Sequence, residues 1–228
     1  SLIPSHPSHV EFPGVVQASS PRIQENITFY SNQTGLPSQF GYSNARSMIL
    51  LSTGLYAPPG EQLYATMSSD LIDSGALLQV GVHSDTLWHK STIYRFPSIV
   101  RSFAIGSANI SIANAFGGPI YLAVPPEDPL GYAWINFDGA VKAPKYEHGE
   151  TSSSDWQLIR DYPAPWAEVS SDQFIMSVPS SEIRTLDDPE DLMDFWDQAL
   201  EMEHDLYGFT PWPRIERAVF DVQISAGW

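Results

Sequence analysis

Cysteine is absent from the chain, and basic residues are scarce: 11 Lys and Arg stand against 27 Asp and Glu, a formal charge of −16. Without thiols there can be no disulfides, thiolate zinc sites or cysteine nucleophile. The charge opposes phosphate backbones and anionic lipid, because both demand a positive surface, and so excludes nucleic acid as a partner class. No run approaches the roughly 18 unbroken apolar residues of a membrane span. Residues Ser1 to Pro13 also lack the charged start and apolar run of a secretory signal, which reads as a mature or trimmed chain. What the 228 residues do hold is 43% hydrophobic side chains, enough to bury the core of one large β domain with a small extension.

Ile23 to Tyr30 alternates apolar and polar residues, a period of two that predicts a half-buried strand. A polar loop through Asn44 follows, and Arg46 to Leu51 opens the next strand. Ala57-Pro58-Pro59-Gly60 is a rigid turn, since proline fixes φ and glycine accepts positive φ. Further strands are expected at Gln62 to Met67, Leu77 to Val82, Ser98 to Ala104, Ile120 to Val124 and Gly131 to Phe137. Closely spaced Gly and Pro between them point to a mainly β fold, a β-sandwich or jelly roll, over residues 1–166.

The character changes over residues 167–228, where a short α+β segment is expected. Gln173 to Val178 reads as a strand. Asp187-Asp188-Pro189-Glu190 then starts a helix, with an acid as cap and proline in the first turn. Leu192, Phe195, Trp196, Ala199 and Leu200 form one apolar stripe on this helix, which ends near Tyr207-Gly208. Arg217 to Ser225 is the last expected strand. Ten of the 27 acids crowd between Glu182 and Asp205, which reads as a solvated helix face. Calcium is the sharper alternative, although no Asp-x-Asp-x-Asp-Gly loop accompanies it.

The densest polar cluster is Val82-His83-Ser84-Asp85-Thr86-Leu87-Trp88-His89. His83 and Asp85 sit two apart, so an extended backbone turns both to one side, where imidazole and carboxylate can share a ligand or an ion. His83, Asp85, Trp88 and His89 are therefore the candidate ligand-binding residues. The bland reading is a loop whose polar groups bond nearby backbone, and no third metal ligand stands out. His148-Gly149-Glu150-Thr151 is a second polar loop, equally explained by a capped turn. Trp88, Tyr94, Tyr132 and Trp134 are candidates for stacking on sugar rings. No Gly-x-Ser-x-Gly elbow and no His-Glu-x-x-His pair occurs, and Leu200-Glu201-Met202-Glu203-His204 lacks the first histidine of an inverted zinc motif. No catalytic residue is nominated.

Asn26-Ile-Thr28, Asn32-Gln-Thr34 and Asn109-Ile-Ser111 are glycosylation sequons and use three of the six asparagines, where chance gives about one. They point to a secreted or extracellular protein, with a cytoplasmic one as the alternative.

Several strings go beyond general pattern. They are Phe12-Pro13-Gly14, Ser52-Thr53-Gly54-Leu55-Tyr56-Ala57-Pro58-Pro59-Gly60-Glu61, Val80-Gly81-Val82-His83-Ser84-Asp85 and Arg95-Phe96-Pro97. Asn114-Ala115-Phe116-Gly117-Gly118-Pro119-Ile120-Tyr121, Tyr162-Pro163-Ala164-Pro165-Trp166-Ala167-Glu168 and Phe220-Asp221-Val222-Gln223-Ile224-Ser225-Ala226-Gly227-Trp228 follow in order. Together they resemble the enhancin-like family of mucin-targeting zinc metallopeptidases, and its vertebrate relatives, the ion-channel-associated factors. The resemblance runs from about Val10 to Trp228. It implies a β-sandwich followed by a zincin-type subdomain, whose His-Glu-x-x-His helix lies downstream of the Asp-x-Gln-Ile-Ser strand. No position here matches the zinc ligands or the general base, so zinc is expected only in a full-length member and no cofactor in this chain. The implied function is that of a non-catalytic front part that binds glycoprotein, glycan or a second chain completing the subdomain. The alternatives are one piece of an active mucin-cleaving metallopeptidase, and a purely structural or partner-binding protein.

Overall fold

A computed structural model describes residues 3–34, 47–126, 130–208 and 214–226. Most of the polar loop expected before Arg46, Arg46 itself, and Gly227-Trp228 lie outside the described residues. Strand β1 (Ile23–Ser31) follows its alternation: Gln24, Asn26, Thr28 and Tyr30 face solvent while Phe29 is buried. Then come β2 (Ile49–Ala57), β3 (Leu63–Met67), β4 (Leu77–Val80), β5 (Arg101–Ala104), β6 (Asn109–Ile112), β7 (Gly118–Val124) and β8 (Gly131–Lys142). They form an antiparallel sheet in the order β5-β4-β7-β2-β8-β3-β6, with β1 also paired to β8.

The long β8 turns this sheet into a sandwich. Its first part pairs with β1 and β3, whereas Val141 and Lys142 pair with Tyr56 and Leu55 of β2. The turn comes at Gly139, the unpaired residue of a bulge opposite Ile23 and Gln24, with φ +95°. The two leaves meet across a core that includes Phe29, Leu51, Leu63, Leu78, Leu122, Ile135 and Phe137. A mainly β sandwich is therefore what the residues build. β6, four residues long, is not among the strands expected from the sequence.

A second sheet lies against β7, and all seven residues of β7 are buried as a result. It is built from β9 (Lys145–Glu147), β10 (Trp166–Ser170), β11 (Phe174–Pro179) and β12 (Glu216–Val219), in the order β12-β11-β10-β9. The central pair is antiparallel and the outer pairs are parallel. Three helices flank it: α1 (Ser153–Ile159), α2 (Ser180–Ile183) and α3 (Pro189–Tyr207). Residue 166 is the first of β10, and Lys145–Glu147 upstream already belongs to this sheet.

Helix α3 has the expected ends. The Asp188 carboxylate accepts the Asp191 N–H, Pro189 opens the helix, and Gly208 closes it at φ +67°. Its buried face differs from the expected stripe. Met193 is fully buried, and Leu192, Trp196 and Leu200 pack beside it, whereas Phe195 is 63% exposed. The last strand is also shorter than expected. It ends at Val219; Phe220 still donates its N–H to the Ser177 carbonyl of β11, and beyond it side chains of the sandwich hold residues 221–225.

Candidate functional site

The His83 loop does not turn its polar groups outward. His83 is 1% exposed, its ring set edge-on to Phe12 and Trp166 at centroid distances of 4.7 and 4.2 Å. Its Nε2 lies 3.0 Å from the Phe220 carbonyl, to which it donates as the neutral tautomer. Burial pushes the imidazole pKa down to about 4, against the opposing pull of Asp221. Asp85 accepts the Thr86 N–H at 2.6 Å through one oxygen and the Ser225 N–H at 2.6 Å through the other. The Ser225 hydrogen bonds hold this carboxyl below its usual range. His89 Nε2 reaches the Ser225 carbonyl at 3.2 Å, while the Trp88 ring is 74% exposed.

The centre of this arrangement is a pair that the sequence reading did not connect. Arg95 donates through Nε and Nη2 to the two oxygens of Asp221 at 2.7 and 2.5 Å, with side chains 1% and 6% exposed. Its Nη1 donates to the carbonyls of Phe96 and Pro97. Gln223 adds two further bonds, accepting from the Tyr94 N–H and donating to the Thr92 carbonyl. His83, Asp85, His89 and Arg95 thus grip one extended segment, Phe220 to Ser225. Both Arg95-Phe-Pro and the Asp221 string stood out in the sequence, but 126 residues separate the partners and no local pattern links them.

A second buried connection ties the sandwich to the outer sheet. The Glu168 carboxylate on β10 accepts from Tyr121 Oη and Ser177 Oγ at 2.9 Å, and from Arg217 Nη1 on β12. Arg217 Nη2 donates across to the Leu50 carbonyl and Ser52 Oγ on β2. Burial lowers the guanidinium pKa. The His148 loop is a turn as well: the Ser170 carbonyl accepts the His148 N–H, Glu147 bonds Thr151, and Nε2 lies 3.0 Å from Asp194.

The aromatic candidates fall in two places. Trp88 and Tyr94 lie on the gripping loop, whereas Tyr132 and Trp134 lie on the outer face of the leaf β6-β3-β8-β1. There Tyr132 meets Tyr30, missed in the sequence, with ring centroids 4.7 Å apart. The neighbouring cross-strand row reads Asn26, Asn136, Thr66, Asn109. All three sequon asparagines are exposed, and Asn109 Oδ1 accepts from Thr66, which leaves its Nδ2 free. Among the described residues, no three His, Asp or Glu side chains gather as a metal would need. His83 and Asp85 direct their polar atoms to backbone groups. The donor set does not fit a zinc centre.

Two family models match the chain. The N-terminal domain of M60-like peptidases covers residues 22–136, and peptidase M60, enhancin and enhancin-like, covers residues 139–228. TRPM8 channel-associated factor 1 of Bos taurus is 35% identical over 181 residues, 78% of this chain and 20% of that protein. The chain therefore spans about a fifth of the length of the curated relatives it matches. The IMPa metallopeptidase from Pseudomonas aeruginosa superposes with a TM-score of 0.64 at 17% identity, over 95% of this chain and 28% of that one. A structure of IMPa metallopeptidase in complex with T-antigen superposes at 0.58 and 18% identity, over 94% and 28% of the two chains. At these identities the superpositions speak for the fold.

Proposed function

The chain belongs to the M60 family of enhancin and enhancin-like peptidases, and from that premise we propose that this stretch binds glycoprotein and carries no catalytic residue itself. The observation that carries the reading is the outer face of the first leaf. Tyr30, Tyr132 and Trp134 expose their rings side by side, and Thr28, Thr66 and Asn136 adjoin them with uncharged hydrogen-bonding groups. Aromatic faces pack on the C–H faces of sugars, while amides and hydroxyls bond the sugar hydroxyls. The T-antigen complex of the structurally similar IMPa supports a mucin-type glycan as ligand.

The grip on residues 220–225 would fix the outer sheet against the sandwich. In this reading His83, Asp85 and His89 serve the fold, and Trp88 is left to contact a ligand. The exposed sequons support a secreted or extracellular setting.

Titration with T-antigen disaccharide, followed by tryptophan fluorescence, tests the proposal. Binding should weaken about tenfold or more in Tyr132→Ala and in Trp134→Ala, as expected when a stacked ring is lost. Unchanged affinity in both variants overturns the glycan reading. Robust zinc-dependent casein or mucin cleavage by this chain overturns its non-catalytic half. A protein partner is the second reading, favoured by the exposed apolar residues of α3 and in keeping with the names of the channel-associated relatives.

A further inference from the structure

We propose that the exposed flank of α3, beside its buried face, is a docking surface for an amphipathic helix with a basic flank, presented by a partner protein. The inference develops the partner-binding reading and is independent of the glycan-binding one. Helix α3 already buries Leu192, Met193, Trp196 and Leu200 against the outer sheet. At about 100° per residue, Phe195, Met202 and Leu206 fall within about 40° of one another, on the flank adjoining that buried face. They are 63, 72 and 80% exposed, and Ala199 lies on the same line. A surface helix ordinarily presents polar groups there, so an apolar row of about three turns marks a contact surface.

The chemistry of the occupant follows from the flank. Asp191, Asp194, Glu201 and Asp205 border the stripe on one side. Asp194 and Glu201 also open into a cleft of about 450 Å³, where Asp172 and Asp197 join them and His148 is the lone basic side chain. Burial and the nearby Asp172 and Asp194 raise the Asp197 carboxyl above its usual range, against the Ser171 hydrogen bond and His148. Lys or Arg side chains from a partner would relieve that repulsion, and apolar residues at helical spacing would cover the stripe. A second copy packed face to face would oppose carboxylate to carboxylate. Anionic lipid would meet the same repulsion.

Two synthetic 18-residue helices sharing one leucine stripe, one flanked by Lys and the other by Glu, test the surface. Each is titrated into the full chain by fluorescence anisotropy at about 50 and 300 mM salt. The Lys-flanked helix should bind, several-fold more weakly at the higher salt. The combined Phe195→Ser and Met202→Ser variant should bind it about tenfold more weakly or worse, with circular dichroism and T-antigen binding unchanged. Asp194→Asn with Glu201→Gln should flatten the salt dependence. Equal binding of both peptides, or equal binding to the Phe195/Met202 variant, overturns the proposal. So does a dimer, seen by sedimentation, that the same variant dissolves, since the occupant would then be a second copy.

Discussion

Replacing Asp221 by Ala probes the grip that the sandwich loop exerts on the tail. The substitution removes both acceptors facing Nε and Nη2 of Arg95, and leaves a guanidinium that is 1% exposed with only the Phe96 and Pro97 carbonyls on Nη1. An uncompensated buried charge of this kind costs about 3–5 kcal/mol, a large share of the ~5–15 kcal/mol that holds a domain together. An apolar pair in the same space, Arg95→Met with Asp221→Leu, should recover most of that loss, because it removes the charge along with its partner. Urea unfolding followed by tryptophan fluorescence gives the energies. Hydrogen exchange at the Gln223 and Ser225 amides, which bond Asp221 and Asp85, reports on the tail itself. The single variant should expose those amides before global unfolding does. The reasoning fails if Asp221→Ala costs less than ~1 kcal/mol, the worth of a surface pair, or if the double variant loses the sum of the two single losses.

His83 makes stability depend on pH. Its folded pKa of about 4 lies below the unfolded value of 6.5, so the unfolded chain holds more protons between these limits. Stability should therefore fall as pH drops from 6.5 to 4, then level off, with His83 contributing about 3 kcal/mol to the change. His83→Phe should flatten that part of the profile in urea unfolding, and an unaltered slope would count against a buried neutral imidazole. Gly118 adopts φ +145° and lies so close to β4 that an added Cβ would meet Gly81 N and Cα at 2.6 Å. Gly118→Ala should cost on the order of 3 kcal/mol, read as a fall in Tm, because both opposing atoms are backbone. Produced through a eukaryotic secretory pathway, the chain should carry an N-glycan on at least one of Asn26, Asn32 and Asn109, seen as a mass shift that glycosidase reverses. An unmodified mass would remove the support that the sequons give to an extracellular setting.

How much was legible depended on whether an element keeps one face in water. β1 showed its alternation because Gln24, Asn26, Thr28 and Tyr30 stay exposed opposite a covered face. β7 read as an unbroken apolar run because it is covered on both faces. β10 was hidden for a different reason. Trp166, Ala167, Glu168, Val169 and Ser170 are all buried, so its two polar residues did not mark a solvent face. Glu168 is tolerable there only because Arg217, Tyr121 and Ser177 converge on it, and those groups lie on three other strands. Phe195 misled for the converse reason: helical spacing placed it near the core residues, but Met193 fills the buried position. The candidate residues His83, Asp85 and His89 were visible as a cluster, yet what they bind was not, because the tail arrives from more than 130 residues away.

The tail carries the most instructive mismatch between pattern and cause. Residues 220–225 alternate strictly, with Phe220, Val222 and Ile224 about half exposed and Asp221, Gln223 and Ser225 turned inward. Period two is a property of extended backbone, whether or not a neighbouring strand pairs with it. Here the ladder ends at Val219, and the alternation is imposed by Arg95, the Tyr94 and Thr92 backbone groups, and Asp85. The sense of the alternation is also inverted relative to an ordinary half-buried strand: the polar residues face the protein and the apolar ones face out. The Asp-x-Gln-x-Ser spacing therefore records a contact between sandwich loop and tail, in which every second residue must bring a hydrogen-bonding group to the loop. Had the segment been a half-buried ladder strand, Phe220, Val222 and Ile224 would have faced the core and another polar residue could have replaced Asp221. In this structure that replacement buries an unpaired Arg95, so the same spacing that looks like a strand is held in place by the cost of one stranded guanidinium.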